Sequence, residues 1–320
     1  MKINNCYGKE YVFVDVRSPK EFEEDHIPDA INIPLLNNEE RAIVGTIYKK
    51  ESKEKAINKG VEFLSPKLPD MINQYKKLKQ PIIIYCFRGG MRSNSIASLL
   101  KSLNFEVEVL KDGYKSYREF VREQLTKVTI PNPYILYGLT GSGKTEILNQ
   151  INNSLDLEGL AQHRGSVFGD IGLNPRSQKY FESLLLKRLL ELKDEKIVFI
   201  EGESRKIGKT QIPEHIWKQM QQAKKVKIVN TMEERVSRIK EEYKEGLNKE
   251  IVMEKLNRIE KYIGKEQIQK IETLLDQNKM EKVIQILLEK YYDKLYAHTV
   301  NSKTYEFEVK NKEELLERLS

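Results

Sequence analysis

The chain has 320 residues, of which 39% are hydrophobic and 32% are charged, and its net charge is +7. This composition argues against a mainly disordered chain, and no apolar run approaches the roughly 20 residues of a membrane span or forms a signal peptide, which predicts a cytoplasmic protein without a membrane partner. Two cysteines are too few for a disulfide framework or a four-cysteine zinc site.

The first part of the chain alternates short apolar runs with helical segments. Strands are predicted at residues 11–16, 30–34, 82–85 and 106–110. A charged segment at residues 39–79 has a helical pattern, and another helix follows the third strand at 95–100. This alternation indicates an α/β domain with a parallel sheet, which we place at residues 1–127.

A second α/β domain begins after a junction that contains Pro131 and Pro133. Predicted strands lie at 134–137, 197–200 and 226–229, and predicted helices at 144–153 and 176–193. We place this domain at residues 128–235.

Residues 236–320 are predicted to be a mainly helical extension of the second domain. Val252, Leu256, Ile259 and Ile263 repeat at helical spacing, and Gly264 is placed to end that helix. We interpret such stripes as hydrophobic core without a chemical role.

The loop after the strand at 82–85 reads CFRGGMR and contains the first set of candidate catalytic residues. Gly89 and Gly90 permit positive φ, so backbone N–H groups can converge on an anion above the sulfur of Cys86. Arg88 and Arg92 add positive charge, which favours the thiolate. The sequence therefore predicts a nucleophilic cysteine in an anion-binding loop.

Two chemistries use such a loop, and its residues alone leave both open. The Cys-x5-Arg spacing is also that of cysteine-dependent phosphatases. The segment VDVRSPKEFEEDHIPDAINIP, however, resembles the amino-terminal signature of rhodanese domains. The resemblance implies transfer of sulfur or selenium through an adduct on the loop cysteine, and it makes Asp15 and His26 residues of the fold.

The segment GLTGSGKT follows a predicted strand and opens a predicted helix, which is the context of a phosphate-binding P-loop. We predict that its amides, with Lys144, bind a diphosphate. The predicted binding residues are Gly138, Gly141, Ser142, Gly143, Lys144 and Thr145. Thr145 and an acidic residue of the next strand would hold Mg²⁺, and the sequence leaves Glu201 and Glu203 as alternatives. Weaker candidates for substrate or phosphate contacts are His163, Arg164, Glu203 and Arg205.

Together, CFRGGMRS, GLTGSGKT, HRGSVFG, EGESRKIG and YYDKLY occur in an order that resembles the tRNA 2-selenouridine synthase family. The resemblance implies conversion of wobble 2-thiouridine in tRNA to 2-selenouridine. Geranyl diphosphate would alkylate the sulfur, and selenium from selenophosphate would then displace it through an S-selanyl adduct on Cys86. The resemblance thus implies both co-substrates, a tRNA partner and an enzyme that supplies selenophosphate. We expect no tightly bound cofactor.

Two other functions stay open at this point. One is a cysteine phosphatase joined to a P-loop kinase or NTPase, although Tyr85 occupies a position where tyrosine phosphatases typically have histidine. The other is a nucleotide-gated regulatory module with a rhodanese domain.

Overall fold

The computed structural model describes residues 1–202, 204–244, 248–301 and 303–319, and the chain divides into two compact units. The first unit contains Met1–Lys127 and Lys179–Lys187, and the second contains Val128–Gln178 and Arg188–Ser320. One segment from the second half of the sequence thus belongs to the first unit. The sequence does not indicate that this segment belongs to the first unit, because the apolar residues of a helix do not identify the surface on which the helix packs.

The first unit is built on a four-stranded sheet in the order β2-β1-β3-β4, and each strand pair is parallel. Its strands are β1 Val12–Asp15, β2 Ile31–Asn32, β3 Ile82–Tyr85 and β4 Val107–Val109. Its helices are α1 Pro19–Glu24, α2 Asn38–Lys50, α3 Lys53–Leu64, α4 Leu68–Tyr75, α5 Met91–Ser102 and α6 Gly113–Leu125. All four residues of β3 are buried, as expected for the inner strand of a covered parallel sheet.

Local sequence explains where the first helices begin. Ser18 and Glu21 form a capping box, and Pro19 occupies the first turn of α1, where its missing N–H costs nothing. Asn37 and Glu40 form a second capping box at the start of α2. These caps determine how the chain leaves β1 and β2.

A buried polar network lies beside β1. The Arg17 guanidinium donates to both carboxylate oxygens of Asp15, and it stacks on the ring of Tyr114 with 3.9 Å between its central carbon and the ring centroid. The Tyr114 hydroxyl donates to Asp25 at 2.7 Å. His26 stacks on Phe22 with 3.7 Å between ring centroids. Asp15 and His26 therefore make contacts of the fold.

The second unit contains a five-stranded parallel sheet in the order β11-β10-β5-β7-β6 and a small antiparallel hairpin, β8-β9. Its strands are β5 Pro133–Tyr137, β6 Ser154–Leu155, β7 Val198–Glu201, β8 Lys206–Ile207, β9 Thr210–Gln211, β10 Lys224–Ile228 and β11 Phe307–Val309. The helices between the first unit and the C-terminal region are α7 Lys144–Asn149, α8 Leu157–Ala161, α9 Gln178–Glu191 and α10 Glu214–Gln222. Of these, α9 contributes its residues Lys179–Lys187 to the first unit. Because β5 is the central strand, the loop that follows it opens at the middle of the sheet edge.

The C-terminal region is mainly helical. Its helices are α11 Met232–Glu242, α12 Lys249–Ile263, α13 Lys265–Asp276, α14 Met280–Leu287, α15 Asp293–Asn301 and α16 Lys312–Glu317, with a π-helical turn at Leu288–Tyr292. Gly264, with φ of +86°, ends α12 as expected. Strand β11 is an addition to the prediction: it pairs with β10 at the sheet edge, and its run of three residues is too short for a clear period-two pattern.

The predicted α/β fold class, with parallel sheets and a helical C-terminal region, is confirmed. Within the described part of the chain, no helix combines the length and the apolar character needed to cross a membrane.

Candidate functional site

Cys86 lies directly after β3, in the loop that leads to α5. The residue is only 3% exposed, and its Sγ is 3.3 Å from the Ser93 hydroxyl oxygen. Burial raises the pKa of the Cys86 thiol, but hydrogen bonds from the Ser93 hydroxyl and N–H, the Arg92 charge and the Arg88 N–H lower it by more. The net pKa is below the ordinary thiol value, which favours a thiolate. Burial raises the pKa of the other thiol, Cys6.

The two loop glycines, which were predicted to permit positive φ, differ in conformation, and Gly89 is the one that adopts positive φ. Gly89 has φ of +60°, and a Cβ there would lie 2.7 Å from the Leu110 carbonyl oxygen. Gly90 has φ of −92°, and nothing lies within 4 Å of its Cβ position. Gly113 packs closely against the backbone of the loop, because a Cβ there would lie 2.2 Å from the Cys86 carbonyl oxygen. Gly89 and Gly113 are therefore required for the close approach.

The two arginines of the loop also differ. Arg92 Nη1 is 3.1 Å from a carboxylate oxygen of Glu21, and the positive charge of Arg92 helps to lower the pKa of the thiol. The Arg88 guanidinium lies 5.8 Å from the centroid of the Phe87 ring, and the Arg88 side chain is exposed. Arg88 thus lowers the pKa of the Cys86 thiol through its backbone N–H, whereas Arg92 lowers it through its charge.

The P-loop of the second unit connects β5 to α7. Gly141 and Gly143 have φ of +78° and +88°. A Cβ on Gly138 would lie 2.3 Å from the Ser142 hydroxyl oxygen and 2.8 Å from the Ile228 carbonyl oxygen, and because the second atom belongs to the backbone, this position also requires glycine. Lys144 Nζ donates to the Gly138 carbonyl at 3.2 Å, which holds the ammonium against the loop.

An oxygen pair lies beside this loop. The Thr145 hydroxyl donates to a carboxylate oxygen of Glu201 at 2.9 Å, and Glu201 is 1% exposed at the end of β7. Mg²⁺ usually takes one or two protein oxygens and completes its shell with water and phosphate, so the pair fits a magnesium ion bound with a diphosphate. Glu203, the alternative acid, lies outside the described residues.

Three side chains that sequence analysis missed hold the carbonyl groups of the P-loop. Asn230 Nδ2 donates to the Ser142 carbonyl at 2.7 Å, Arg235 Nε to that of Thr140 at 2.9 Å, and Arg238 Nη1 to that of Gly141 at 2.7 Å. The only signal in the sequence is the i, i+3 spacing of the two arginines, which places them on one side of α11.

A cavity of about 1070 Å³ extends from the P-loop into the helical region. Its polar end includes Lys144, Thr145 and Glu201. Its apolar wall includes Met280, Val283, Ile284, Leu287, Leu288 and Tyr292. The interpretation of the helical stripes as core alone is therefore incomplete. The π-helical turn places both of its ends, Leu288 and Tyr292, on this wall, and such turns concentrate at functional sites.

The weaker candidates for substrate or phosphate contacts lie in different places. Arg164 lines the cavity, where it pairs with Glu242 at 2.6 Å and stacks on Tyr243. Arg205 pairs with Glu214 and donates to the Ile212 carbonyl, and it is absent from the cavity lining.

The ring of His163 packs against two glycines. Cβ atoms on Gly169 and Gly208 would lie 2.9 and 2.5 Å from it. Burial is the main reason that its pKa is lowered. The structure thus brings Arg164 to the cavity, whereas His163 and Arg205 lie elsewhere.

Sequence comparisons match both units. The profile described as the tRNA 2-selenouridine synthase AAA domain matches residues 131–319, and the rhodanese-like domain matches residues 4–120. The tRNA 2-selenouridine synthase of Shewanella piezotolerans is 37% identical over 241 residues, which are 73% of this chain and 66% of that protein. The proteins of the same name from Nitrosomonas europaea and Pseudomonas syringae are 36% and 37% identical over 72% of this chain. The chain spans just under two thirds of the length of these relatives, with 63% and 65% for the latter two.

Proposed function

The chain belongs to the tRNA 2-selenouridine synthase family, and we propose that it replaces the sulfur of wobble 2-thiouridine in tRNA with selenium in two steps. In the first step, the sulfur receives a geranyl group from geranyl diphosphate. In the second step, selenium from selenophosphate displaces the geranylated sulfur.

The cavity in the second unit is the observation that carries this proposal. One end contains a phosphate-binding loop, and the other is lined by aliphatic and aromatic side chains such as Leu287, Leu288 and Tyr292. An isoprenoid diphosphate has the same division between a polyanionic head and an apolar chain. The volume of about 1070 Å³ leaves room for a base beside the diphosphate ester.

The first step is a displacement at an allylic carbon. The thiouridine sulfur attacks C1 of geranyl diphosphate, the C1–O bond breaks, and the diphosphate leaves with the electron pair while the base releases its N3 proton to solvent. The P-loop amides and Lys144 would stabilise the charge that develops on the leaving oxygen. When bound, Mg²⁺ held by Thr145 and Glu201 would supply further charge neutralisation.

In the second step, the Cys86 thiolate attacks the selenium of selenophosphate. The selenium–phosphorus bond breaks with its electron pair on phosphorus, phosphite leaves, and selenium remains as S-selanylcysteine. The lowered pKa of Cys86 and its buried position, only 3% exposed, support a small anionic donor.

Transfer to the base completes the reaction. The selenium anion attacks C2 of the geranylated base, and the C2–S bond breaks to release geranylthiolate, which takes a proton from solvent. A small cellular thiol then cleaves the sulfur–selenium bond and leaves selenium on C2. A second thiol reduces the resulting mixed disulfide and regenerates Cys86.

The macromolecular substrate would be a tRNA with an exposed wobble base. The net charge of +7 supports binding of its phosphate backbone. An enzyme that produces selenophosphate is the expected supplier of the second co-substrate.

One assay tests both steps. Purified protein is mixed with tRNA containing 2-thiouridine, geranyl diphosphate, selenophosphate and a thiol, and the digested nucleosides are separated by mass. Wild type should yield 2-selenouridine, Lys144→Ala should stop at 2-thiouridine, and Cys86→Ser should accumulate the geranylated nucleoside. Cys6→Ser is the matched control and should behave like wild type. If wild type forms neither product, the proposed function is wrong.

The Thr145–Glu201 hydrogen bond also supports a second candidate, a P-loop NTPase, because these enzymes hold Mg²⁺ with a hydroxyl and an acid. This candidate predicts release of phosphate from ATP or GTP, with loss of release in Glu201→Gln. No release from either nucleotide, together with geranylation by the same sample, would exclude it.

A further inference from the structure

Arg238 reaches from α11 to the phosphate-binding end of the cavity, and the proposed reaction assigns it no role. Its Nη1 donates to the Gly141 carbonyl at 2.7 Å, and its Nε donates to a carboxylate oxygen of Glu146 at 2.8 Å. Arg238 and Glu146 both line the cavity. The guanidinium therefore lies where an anion on the P-loop would meet it.

The glycine at position 143 makes this approach feasible. A Cβ there would lie 3.1 Å from Arg238 Cζ, 3.2 Å from Nε and 3.3 Å from Nη2. The guanidinium thus packs against the glycine that precedes Lys144. This contact brings a second positive charge to the same short segment of the loop.

The environment of this ion pair differs from that of the neighbouring pair between Arg235 and Asp293. The Arg235 side chain is 5% exposed and binds Asp293, which makes the pair part of the packed interior. Arg238 and Glu146 are 29% and 56% exposed. Solvent-exposed ion pairs contribute little to stability, so an incoming polyanion can displace Glu146 at low cost.

We propose that Arg238 is a second cationic ligand of the diphosphate, and that it exchanges the Glu146 carboxylate for diphosphate oxygens when the substrate binds. This inference rests on the proposed function. As the C1–O bond breaks, its electron pair moves to the leaving oxygen, and the planar guanidinium can donate two hydrogen bonds to the resulting anion. Arg238 is then a catalytic residue together with Lys144.

Glu146 has the opposite effect in this arrangement. Its carboxylate pairs with the Arg238 guanidinium in the free protein and competes with the diphosphate for this guanidinium. Removal of this charge should therefore improve diphosphate binding, whereas removal of the Arg238 charge should weaken it. If the ion pair had only a structural role, both variants would lose the same contact, and the affinity for the diphosphate would change in the same direction in both.

Titration calorimetry with inorganic pyrophosphate tests the proposal on the full chain, with the geranylation rate measured in parallel. Arg238→Gln should weaken pyrophosphate binding about tenfold or more, whereas Glu146→Gln should tighten it about two- to fivefold. Arg238→Lys should recover part of the loss. Lys240→Gln is the matched control, because Lys240 lies on the same helix and pairs with exposed Glu281, and it should bind like wild type.

Two results would overturn the assignment: wild-type pyrophosphate affinity in Arg238→Gln, or a loss of affinity in Glu146→Gln as large as in Arg238→Gln. Thermal unfolding of both variants shows whether the fold is intact. If pyrophosphate binding depends on Arg238 with these opposite signs but wild type forms no geranylated nucleoside, the proposed function fails and Arg238 remains a diphosphate ligand.

Discussion

Arg235 and Asp293 form a two-point ion pair at 3.0 and 2.5 Å that connects the P-loop to the helical wall of the cavity. The same guanidinium donates to the Thr140 carbonyl, and Asp293 directly follows the π-helical turn that ends at Tyr292. One buried arginine thus supports both the polar and the apolar end of the cavity.

Replacement of Asp293 should therefore affect both stability and binding. Asp293→Ala leaves the nearly buried Arg235 without its carboxylate, and we expect the free energy of unfolding to fall by about 2–3 kcal/mol. Pyrophosphate affinity should fall as well, because Arg235 positions the P-loop carbonyl. Urea unfolding and calorimetry measure the two effects. The control is Lys249→Ala, which removes an exposed pair with Asp276 and should change neither property. Equal behaviour of both variants would contradict the structural role.

Cys86 should react as a thiolate at lower pH than an ordinary thiol. A group with a lowered pKa is deprotonated from that lower pH upward, so alkylation by iodoacetamide in a Cys6→Ser background should reach half of its maximal rate at a lower pH than alkylation of an ordinary thiol. Ser93→Ala removes a hydrogen bond that stabilises the thiolate and should move this midpoint upward. Ser95→Ala is the control, because Ser95 is exposed on the same helix, and it should leave the midpoint unchanged. A Ser93→Ala profile identical to that of the parent would reject the role of the hydroxyl.

The two glycines of the thiol loop should respond differently to alanine. Gly89→Ala forces a left-handed backbone on a residue with a Cβ and creates a contact of 2.7 Å with the Leu110 carbonyl oxygen, so the free energy of unfolding should fall by at least about 1–2 kcal/mol. Gly90→Ala meets open space at φ of −92° and should stay within about 0.5 kcal/mol of wild type. Urea unfolding of the full chain compares them. A larger loss in Gly90→Ala would contradict the geometry of the loop.

The apolar wall can be tested by reducing its volume. Met280 lines the cavity and is half-buried, so Met280→Trp should raise the KM for geranyl diphosphate about tenfold, since a bulkier side chain competes with the chain of the substrate. The affinity for inorganic pyrophosphate should not change, because the P-loop is untouched. Leu295→Trp provides a control at a residue that is 52% exposed. Parallel losses of both ligands in Met280→Trp would show that the substitution disturbs the whole unit.

Local sequence was sufficient for the fold class and for the two loops. The pattern of apolar runs predicted the strands, and CFRGGMR and GLTGSGKT predicted where the chain turns at the sheet edge, because glycine conformations and helix starts depend on neighbouring residues. The roles of the residues in these loops stay predictions. Within the first loop, only the structure distinguished Gly89 from Gly90 and Arg88 from Arg92. The Leu110 carbonyl beside Gly89 decides the first case, and the ion pair of Arg92 with the Glu21 carboxylate decides the second.

The cavity shows what sequence alone left undetermined. Lys144, Arg238 and Leu288 are separated by tens of residues, and each belongs to a segment with an ordinary helical pattern. A helical stripe identifies the side that is buried, but the same apolar residues fit a solid core and a ligand cavity equally well. The sequence by itself determined the parallel sheets and the glycine-rich turn of the P-loop, because these follow from short-range backbone preferences. Only the tertiary structure placed an apolar wall beside that turn, because side chains distant in sequence meet only through packing.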